Sequence, residues 1–305
     1  MRILLTGIHG QVGFELLSTL APLGEIIPCD RAALNLSNPE AIRAVVRAER
    51  PDLIVNPAAY TAVDHAETDA QACEALNVTA VRVLGEEAER LGAVMIHYST
   101  DYVFDGSGDR PWREEDPTGP LNVYGATKLA GERALAAACS QHLILRTSWV
   151  YGLRGSNFLL TMLRLGRERP HLRVVADQIG APTWSRLIAE RTAALVARQV
   201  ICQPNGTAQA STVVTGLRAR LKCAPGVVHL TAAGATSWAG FAKEIFKLAD
   251  LPTAVEEIPA SDYPTPARRP ANSRLDLSRA EHLIGVPMEG WKESLARCLT
   301  GMPMA

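Results

Sequence analysis

Short apolar runs alternate along the first half of the chain with longer segments in which hydrophobic residues recur every three or four positions. The apolar runs predict strands at residues 2–6, 25–29, 52–56, 93–98 and 142–146. The intervening segments predict helices over 11–23, from Ser37 or Asn38 with Pro39 in the first turn, over about 69–91, and around Lys128. This alternation favours an α/β fold with a doubly wound parallel sheet covered by helices on both faces.

The alternation of predicted strands and helices ends at about Tyr151, after which prolines and longer loops become frequent. We therefore predict a dinucleotide-binding domain over residues 1–150 and a smaller C-terminal substrate-binding lobe over 151–305, with some segments of the second half returning to the first domain. Residues 199–226 carry mixed signals and predict no element. The chain shows no internal repeat.

Composition narrows the class of protein. The 305 residues are 47% hydrophobic and 21% charged, with a formal net charge of −1, as is ordinary for a soluble globular protein. Such a balance gives no electrostatic basis for binding nucleic acid or an anionic membrane. No apolar run approaches the roughly 18 residues of a spanning helix. The start of the chain lacks the pattern of a signal peptide, so we expect a cytoplasmic protein.

The six cysteines are scattered without a metal-binding spacing, and the seven histidines form no cluster in the sequence. We expect reduced, buried thiols and no metal site. A disulfide between Cys202 and Cys223 is disfavoured, because disulfides are rare in the cytoplasm.

A glycine-rich turn follows the first strand and opens the first helix. Gly7, Gly10 and Gly13 would allow a tight turn and a close approach of the backbone to a pyrophosphate at the helix N-terminus. Asp30 ends the second strand, where a carboxylate that binds an adenosine ribose is expected in the Rossmann fold. The adjacent Arg31 could hold a 2′-phosphate, so we expect both NADH and NADPH to be used. A turn without a ligand is the alternative.

Tyr124 and Lys128 are spaced so that their side chains share one face of a helix. An ammonium about 4 Å from a phenol would interact with it by up to about 4 kcal/mol, which would lower the pKa of Tyr124 enough for general acid catalysis. Thr100 and Asp101 follow the fourth strand, where a ligand of a doubly wound sheet binds. We predict that Tyr124 protonates a carbonyl oxygen polarised by Thr100. The alternative is a solvated helix face.

Seven segments together resemble the extended short-chain dehydrogenase/reductase family, and most closely its dTDP-4-dehydrorhamnose reductase branch. They are LLTGIHGQVGFEL, NPAAYTAVDHAE, HYSTDYVFDG, PLNVYGATKLAGE, RTSWVYG, DQIGAPT and YPTPARRPANSRLD. The resemblance runs from Met1 to about Gly290. It implies reduction by NADPH or NADH of the 4-keto group of dTDP-4-dehydro-β-L-rhamnose, the last step in making dTDP-L-rhamnose.

The resemblance also implies roles for single residues. Those at the cofactor would be Gly10, Gln11 and Val12 at the pyrophosphate, Asn35 and Leu36 at the adenine, Ala59, Tyr60, Thr61 and Tyr98 nearby, and Lys128 at the nicotinamide ribose. The family often has an aspartate where Asn35 stands. Those at the sugar would be Thr100, Asp101 and Trp149, although Trp149 could instead belong to the core.

Two further expectations concern the substrate and a metal. Arg268 and Arg269 lie between prolines and could bind a diphosphate, or they could be an ordinary basic pair on the surface. Some relatives are magnesium-bridged homodimers with glutamate ligands. Glu15 is present here, but Ser185 and Arg186 stand where a carboxylate is expected, and arginine does not ligate Mg²⁺. We therefore expect no magnesium site, and a homodimer stays open.

Two alternative functions stay open. The chain could be a non-catalytic NADP-binding regulatory subunit, because fold alone does not establish chemistry. The joint presence of Thr100, Tyr124, Lys128 and Trp149 favours an enzyme. A reductase of another nucleotide-linked 4-keto sugar would keep the same residues.

Overall fold

The computed structural model describes residues 1–201 and 226–301. Its centre is a parallel sheet of six strands in the order β10-β5-β4-β3-β1-β2. In chain order the strands are β1 Arg2–Thr6, β2 Glu25–Cys29, β3 Leu53–Asn56, β4 Val94–Thr100, β5 His142–Thr147, β6 Val150–Tyr151, β7 His171–Val175, β8 Ile179–Gly180, β9 Thr183–Trp184, β10 Val227–His229, β11 Thr236–Ser237, β12 Ala254–Ile258 and β13 Asn272–Ser273. The five strands predicted from apolar runs are β1 to β5.

Helices cover both faces of this sheet. They are α1 Gln11–Leu20, α2 Pro39–Glu49, α3 Val63–Ala66, α4 Ala70–Glu74, α5 Ala80–Leu91, α6 Val123–Ala138, α7 Phe158–Glu168, α8 Ser185–Ile201, α9 Trp238–Leu248, α10 Ser278–Ile284 and α11 Trp291–Thr300. Alternate residues of β1 enter different cores: Ile3 and Leu5 join the core beneath α1 and α8, and Leu4 joins the core beneath α2 and α5. These layers confirm the predicted Rossmann-type doubly wound fold.

Two predicted helices are broken into shorter elements. The helix predicted over 11–23 ends at Leu20 and continues as a 3₁₀ turn over Ala21–Leu23, which contains Pro22. The helical stretch predicted over about 69–91 is α4 followed by a π-helical segment, Ala75–Thr79, and then α5. Such π segments are rare and often mark functional positions.

The second half of the chain adds small sheets and one strand of the main sheet. β8 pairs with β11 and β13, β7 pairs with β12, and β6 pairs with β9. β10 lies parallel to β5, so the chain returns to the central sheet near residue 227. The division at residue 150 stays a prediction. Most of the unassigned stretch 199–226, with Cys202 and Cys223, lies outside the described residues.

Candidate active site

The glycine turn after β1 has the geometry of an anion-binding loop. Gly7 adopts φ +59°, and its carbonyl accepts a hydrogen bond from Gly10 N at 2.9 Å. A Cβ on Gly13 would lie 2.1 Å from Gly7 O, so only glycine allows α1 to pack on the turn. Gly10 precedes α1 and offers no side chain to cap it, which leaves the first-turn N–H groups of Gln11 and Val12 for a ligand. These features fit the pyrophosphate of a dinucleotide.

Asp30 lies at the end of β2 with its carboxylate held by the loop that follows. Its Oδ1 accepts hydrogen bonds from Ala32 N at 2.9 Å and Ala33 N at 2.8 Å, and the latter is the main cause that lowers the pKa of Asp30. His9 Nε2 lies 3.7 Å from Asp30 Oδ2. Arg31 is exposed beside it. The carboxylate of Asp30 is therefore ionised and held in place, and the exposed Arg31 is the next residue in the chain.

Asn35 and Leu36, the two residues predicted at the adenine, lie in different surroundings. Asn35 is exposed, and its Oδ1 accepts from Ser37 N at 3.0 Å, which shapes the loop before α2. Leu36 packs against the core beneath α2 and α5. Both residues lie on the loop that begins at Asp30.

The backbone after β3 is held by a residue that the sequence did not single out. Asn77, in the π segment, accepts from Tyr60 N at 2.9 Å and donates to Tyr60 O at 3.2 Å. Tyr60 directs its hydroxyl to Asp69 Oδ2 at 3.3 Å. Ala59 and Thr61 are neighbours on the same loop, and Thr61 is exposed. The fixed backbone at 59–61 thus follows β3 at the same edge of the sheet as the glycine turn.

Thr100, Asp101 and Tyr124 come together at the carboxyl end of β4. Thr100 Oγ1 accepts from Tyr102 N at 3.2 Å and donates to Asp101 Oδ1 at 3.2 Å. Burial raises the pKa of Tyr124, and the adjacent Thr100 hydroxyl acts in the opposite direction. The Tyr124 ring meets Tyr102 edge to face, with centroids 5.7 Å apart. A protonated phenol beside a hydroxyl is the arrangement that a general acid would need together with a second group that polarises the carbonyl oxygen.

Lys128 does not act on Tyr124 in the way we predicted. Its Nζ donates to Tyr98 O at 2.6 Å and lies 3.1 Å from His97 Nε2, and the described residues contain no hydrogen bond between Lys128 and Tyr124. Burial lowers the pKa of Lys128 to about 8. The predicted lowering of the Tyr124 pKa is therefore absent here, because burial of the phenol dominates.

Tyr98 contributes its backbone to the site. Its carbonyl holds Lys128, while its side chain is buried under α8 and its hydroxyl lies 2.8 Å from Thr192 Oγ1. The side chain therefore points into the core.

Trp149 has a strained backbone, with φ +48°. Its indole stacks on Trp238 with ring centroids 3.6 Å apart and planes 8° apart. A Cβ on Gly180 would lie 2.6 Å from the indole, so glycine makes room for it. A left-handed conformation of a bulky residue is costly and is found mainly at functional sites. Trp149 therefore has one face covered by Trp238, and its contact with a sugar stays a prediction.

The two arginines of the proline-rich loop differ. Arg269 forms a bidentate pair with Asp64, at 2.9 and 2.7 Å, and is largely covered. The side chain of Arg268 is exposed, and its carbonyl accepts from Asn122 Nδ2 at 2.8 Å. Arg268 is therefore the one of the pair whose guanidinium faces solvent.

Glu15 is engaged by a cation of the same chain. Arg186 Nη1 lies 3.2 Å from Glu15 Oε2, and Arg186 Nε lies 3.1 Å from Glu190 Oε1. Across residues 1–201 and 226–301, no three His, Cys, Asp or Glu side chains are grouped so that they could hold a metal ion. The guanidinium of Arg186 gives Glu15 a partner within its own chain, and the absence of a magnesium site stays a prediction.

Several residues of the site were missed by sequence analysis. Asn122 caps α6 through Gly125 N at 2.8 Å, and Glu67 Oε1 accepts from Val123 N at 2.8 Å. Asp64 orients Arg269. An asparagine just before the helix predicted around Lys128 was the available signal for Asn122. Asp64 and Glu67 precede the helical stretch predicted from about residue 69 and had no comparable signal.

The amino-acid sequence is similar to those of known proteins over its whole length. The family described as "RmlD substrate binding domain" matches residues 1–304. A dTDP-4-dehydrorhamnose reductase of Burkholderia thailandensis is 45% identical, with 98% of each chain covered. That of Escherichia coli K12 is 44% identical over 98% of this chain and 97% of the relative.

Solved structures show the same similarity. A dTDP-4-dehydrorhamnose reductase of Bacillus anthracis in complex with NADP has a TM-score of 0.85 and 33% identity, with 99% of each chain covered. The protein of the same name from Clostridium acetobutylicum has a TM-score of 0.86 and 34% identity over 98% of this chain and 99% of that one. The chain belongs to the dTDP-4-dehydrorhamnose reductase family.

Proposed function

We propose that the protein reduces the 4-keto group of dTDP-4-dehydro-β-L-rhamnose, giving dTDP-L-rhamnose. The observation that carries this proposal is the placement of the Tyr124 phenol beside Thr100, at the same edge of the sheet as the glycine turn. The relatives that share the whole chain are named for this reaction.

Different residues bind the cofactor and transfer the proton. NADPH or NADH, when bound, supplies the hydride that reduces the carbonyl carbon. The N–H groups at the start of α1 bind the pyrophosphate, and Asp30 binds the adenosine ribose. Thr100 donates a hydrogen bond to the carbonyl oxygen, and Tyr124 gives that oxygen its proton. Because burial raises the pKa of Tyr124, the phenol carries its proton at neutral pH.

Lys128 stabilises the charge left on Tyr124 after proton transfer. Its ammonium has three N–H donors, and Tyr98 O and His97 Nε2 engage two of them. The third donor is available to the cofactor ribose or the phenolate. Trp149 and Asp101 would contact the sugar, and the exposed Arg268 could approach the diphosphate.

We also propose that the reaction takes place in the cytoplasm. The described cysteines Cys29, Cys73, Cys139 and Cys298 are free and buried, which suits a reducing compartment. No helix in the described part of the chain has both the length and the apolar character to cross a bilayer.

The test is oxidation of NADPH, followed optically, with dTDP-4-dehydrorhamnose as substrate. Tyr124→Phe should lower kcat by about 10²- to 10⁴-fold, as expected for loss of a general acid, and should leave NADPH affinity near the wild-type value. Tyr151→Phe is the matched control, because the buried Tyr151 hydroxyl has no hydrogen-bond partner among the described residues and its loss should leave activity unchanged.

Two outcomes would contradict the proposal. An active Tyr124→Phe enzyme would remove the phenol from the mechanism. Turnover of the UDP-linked sugar but not of the dTDP-linked one would point to another nucleotide-linked substrate.

A further inference from the structure

Four buried polar side chains connect strands β1, β3 and β4 to helix α6. Thr6 Oγ1 donates to Asn56 Oδ1 at 2.6 Å, and Asn56 contacts His97, whose Nε2 lies 3.1 Å from Lys128 Nζ. Thr6, Asn56, His97 and Lys128 are each at most 1% exposed. Buried polar groups are costly unless all are hydrogen-bonded, so the arrangement of this series has to satisfy each member.

Asn56 offers His97 both a donor and an acceptor. Its backbone O and its Nδ2 each lie 3.1 Å from His97 Nδ1. Because the Thr6 hydroxyl already engages Asn56 Oδ1, the amide nitrogen is the atom that faces the ring. Nδ1 can therefore donate to Asn56 O when it carries the ring proton, and accept from Asn56 Nδ2 when it does not.

We propose that His97 is a positioning residue that hydrogen-bonds Lys128 in both protonation states of the lysine by changing its tautomer. Opposite the ammonium, Nε2 accepts and Nδ1–H donates to Asn56 O. Opposite the neutral amine, Nε2–H donates to Nζ and Nδ1 accepts from Asn56 Nδ2. The ring carries one proton in both arrangements, and only the nitrogen that holds it changes.

The groups around His97 and Lys128 keep the imidazole of His97 neutral. Burial and the Lys128 ammonium hold the pKa of His97 well below its usual range. Glu132 on α6 and Cys73 on α4 both act to raise the pKa of Lys128. Arg146 pairs with Glu132 at 2.9 and 2.7 Å, and burial keeps the phenols of Tyr98 and Tyr124 protonated. The titration of this pocket is therefore that of Lys128.

The consequence for catalysis rests on the proposed function. Lys128 keeps one position throughout its titration, so the ammonium is in place whenever it is charged. Loss of activity at alkaline pH then reflects loss of the lysine charge rather than movement of the side chain.

The tautomer can be observed without substrate. In protein labelled with ¹⁵N-histidine, the His97 resonances are assigned by their absence in His97→Gln. We expect the ring protonation to move from Nδ1 to Nε2 as the pH passes through about 8, where Lys128 titrates. In Lys128→Met the ring should keep one tautomer throughout. A wild-type ring that keeps one tautomer, or that titrates to imidazolium near its usual pKa, would overturn the proposal.

Kinetics supply a second test, on variants first checked for unaltered cofactor binding and melting temperature. His97→Leu removes both hydrogen-bonding atoms and should lower kcat by about 10- to 100-fold and move the alkaline limb of the profile to lower pH. His97→Gln, whose amide can present oxygen or nitrogen to Lys128, should restore most of the activity. His229→Leu is the control, since His229 is equally buried on β10 and lies outside the series.

Equal losses in His97→Leu and His97→Gln, or the same loss in His229→Leu, would overturn the positioning role. A wild-type protein that binds NADPH but does not reduce the substrate would refute the proposed function instead. The tautomer measurement would still decide the role of His97.

Discussion

Asp101 is a buried carboxyl group between the hydroxyls of Thr100 and Ser273. Burial raises its pKa to about 7, and the two hydroxyls only partly oppose that shift. The folded protein therefore holds this proton to higher pH than the unfolded chain does. The contribution of Asp101 to stability is full below the unfolded pKa near 4 and is lost as pH rises through about 7.

Asp101→Asn should remove that dependence. The amide stays neutral and can accept the same Thr100 hydrogen bond, so at pH 8 the variant should exceed wild type in free energy of unfolding by up to about 4 kcal/mol. At pH 4 the two should be nearly equal. Urea unfolding at both pH values measures the difference, and an equal difference at pH 4 and pH 8 would contradict the raised pKa.

Cofactor choice is also a property of single residues. Asp30 suits a ribose with free hydroxyls, and the exposed Arg31 suits a 2′-phosphate, so NADH and NADPH should both support turnover. Arg31→Ala should raise KM for NADPH by about tenfold, the loss expected for one charge-assisted contact, and leave KM for NADH nearly unchanged. Complete rejection of either cofactor by the wild-type protein would contradict this expectation.

The site depends on how closely α6 approaches its neighbours. A Cβ on Gly125 would lie 2.2 Å from Tyr102 O, and one on Gly131 would lie 2.0 Å from Asn77 O. The first contact sets the start of the helix that carries Tyr124, and the second seats the helix on the π segment. Two glycines thus fix the distance between the acid and the strand end that bears Thr100.

Gly125→Ala should therefore displace the start of α6. We expect a loss of about 1–3 kcal/mol in the free energy of unfolding, the usual cost of overpacking, together with a fall in kcat. Gly119→Ala is the matched control, because its Cβ would meet Asp105 Cβ at an ordinary 3.4 Å. Equal stability and activity in the two variants would show that the close approach is not required.

The sequence predicted the strands and helices of the first half, where their signals are local, and it predicted no individual element after residue 150. Apolar runs located β1 to β5 within two residues at either end, and the glycine spacing located the turn. The hydrogen bonds that orient the site are not local: Asn77 with Tyr60, Asp64 with Arg269 and Lys128 with His97 join residues far apart in sequence. The helical spacing predicted that Lys128 would lower the pKa of Tyr124, and it could not show that the Lys128 ammonium bonds to His97 and Tyr98 on β4.

The pairing of Arg186 with Glu15 and Glu190 predicts that the protein does not depend on a metal ion. A chelator should leave kcat unchanged, and Mg²⁺ should not change the sedimentation coefficient of the wild-type protein. Arg186→Glu would place a further carboxylate beside the two glutamates, which creates the oxygen ligands that Mg²⁺ prefers.

We therefore expect Mg²⁺ to raise the melting temperature of Arg186→Glu by about 2 °C or more, as stabilisation near 1 kcal/mol would do, and to leave that of the wild type unchanged. Differential scanning fluorimetry with and without EDTA measures both. A wild-type protein that loses activity in EDTA would refute the metal-free interpretation.

The parallel pairing of β10 with β5 has a consequence for how the chain is made. Until residues Val227–His229 have left the ribosome, β5 is the open edge of a nascent sheet, with unpaired N–H and C=O groups. Such edges are where partly folded chains associate with one another. Expression trials that shorten the chain before residue 227 should therefore give aggregated material, and slow synthesis at low temperature should favour the full-length protein.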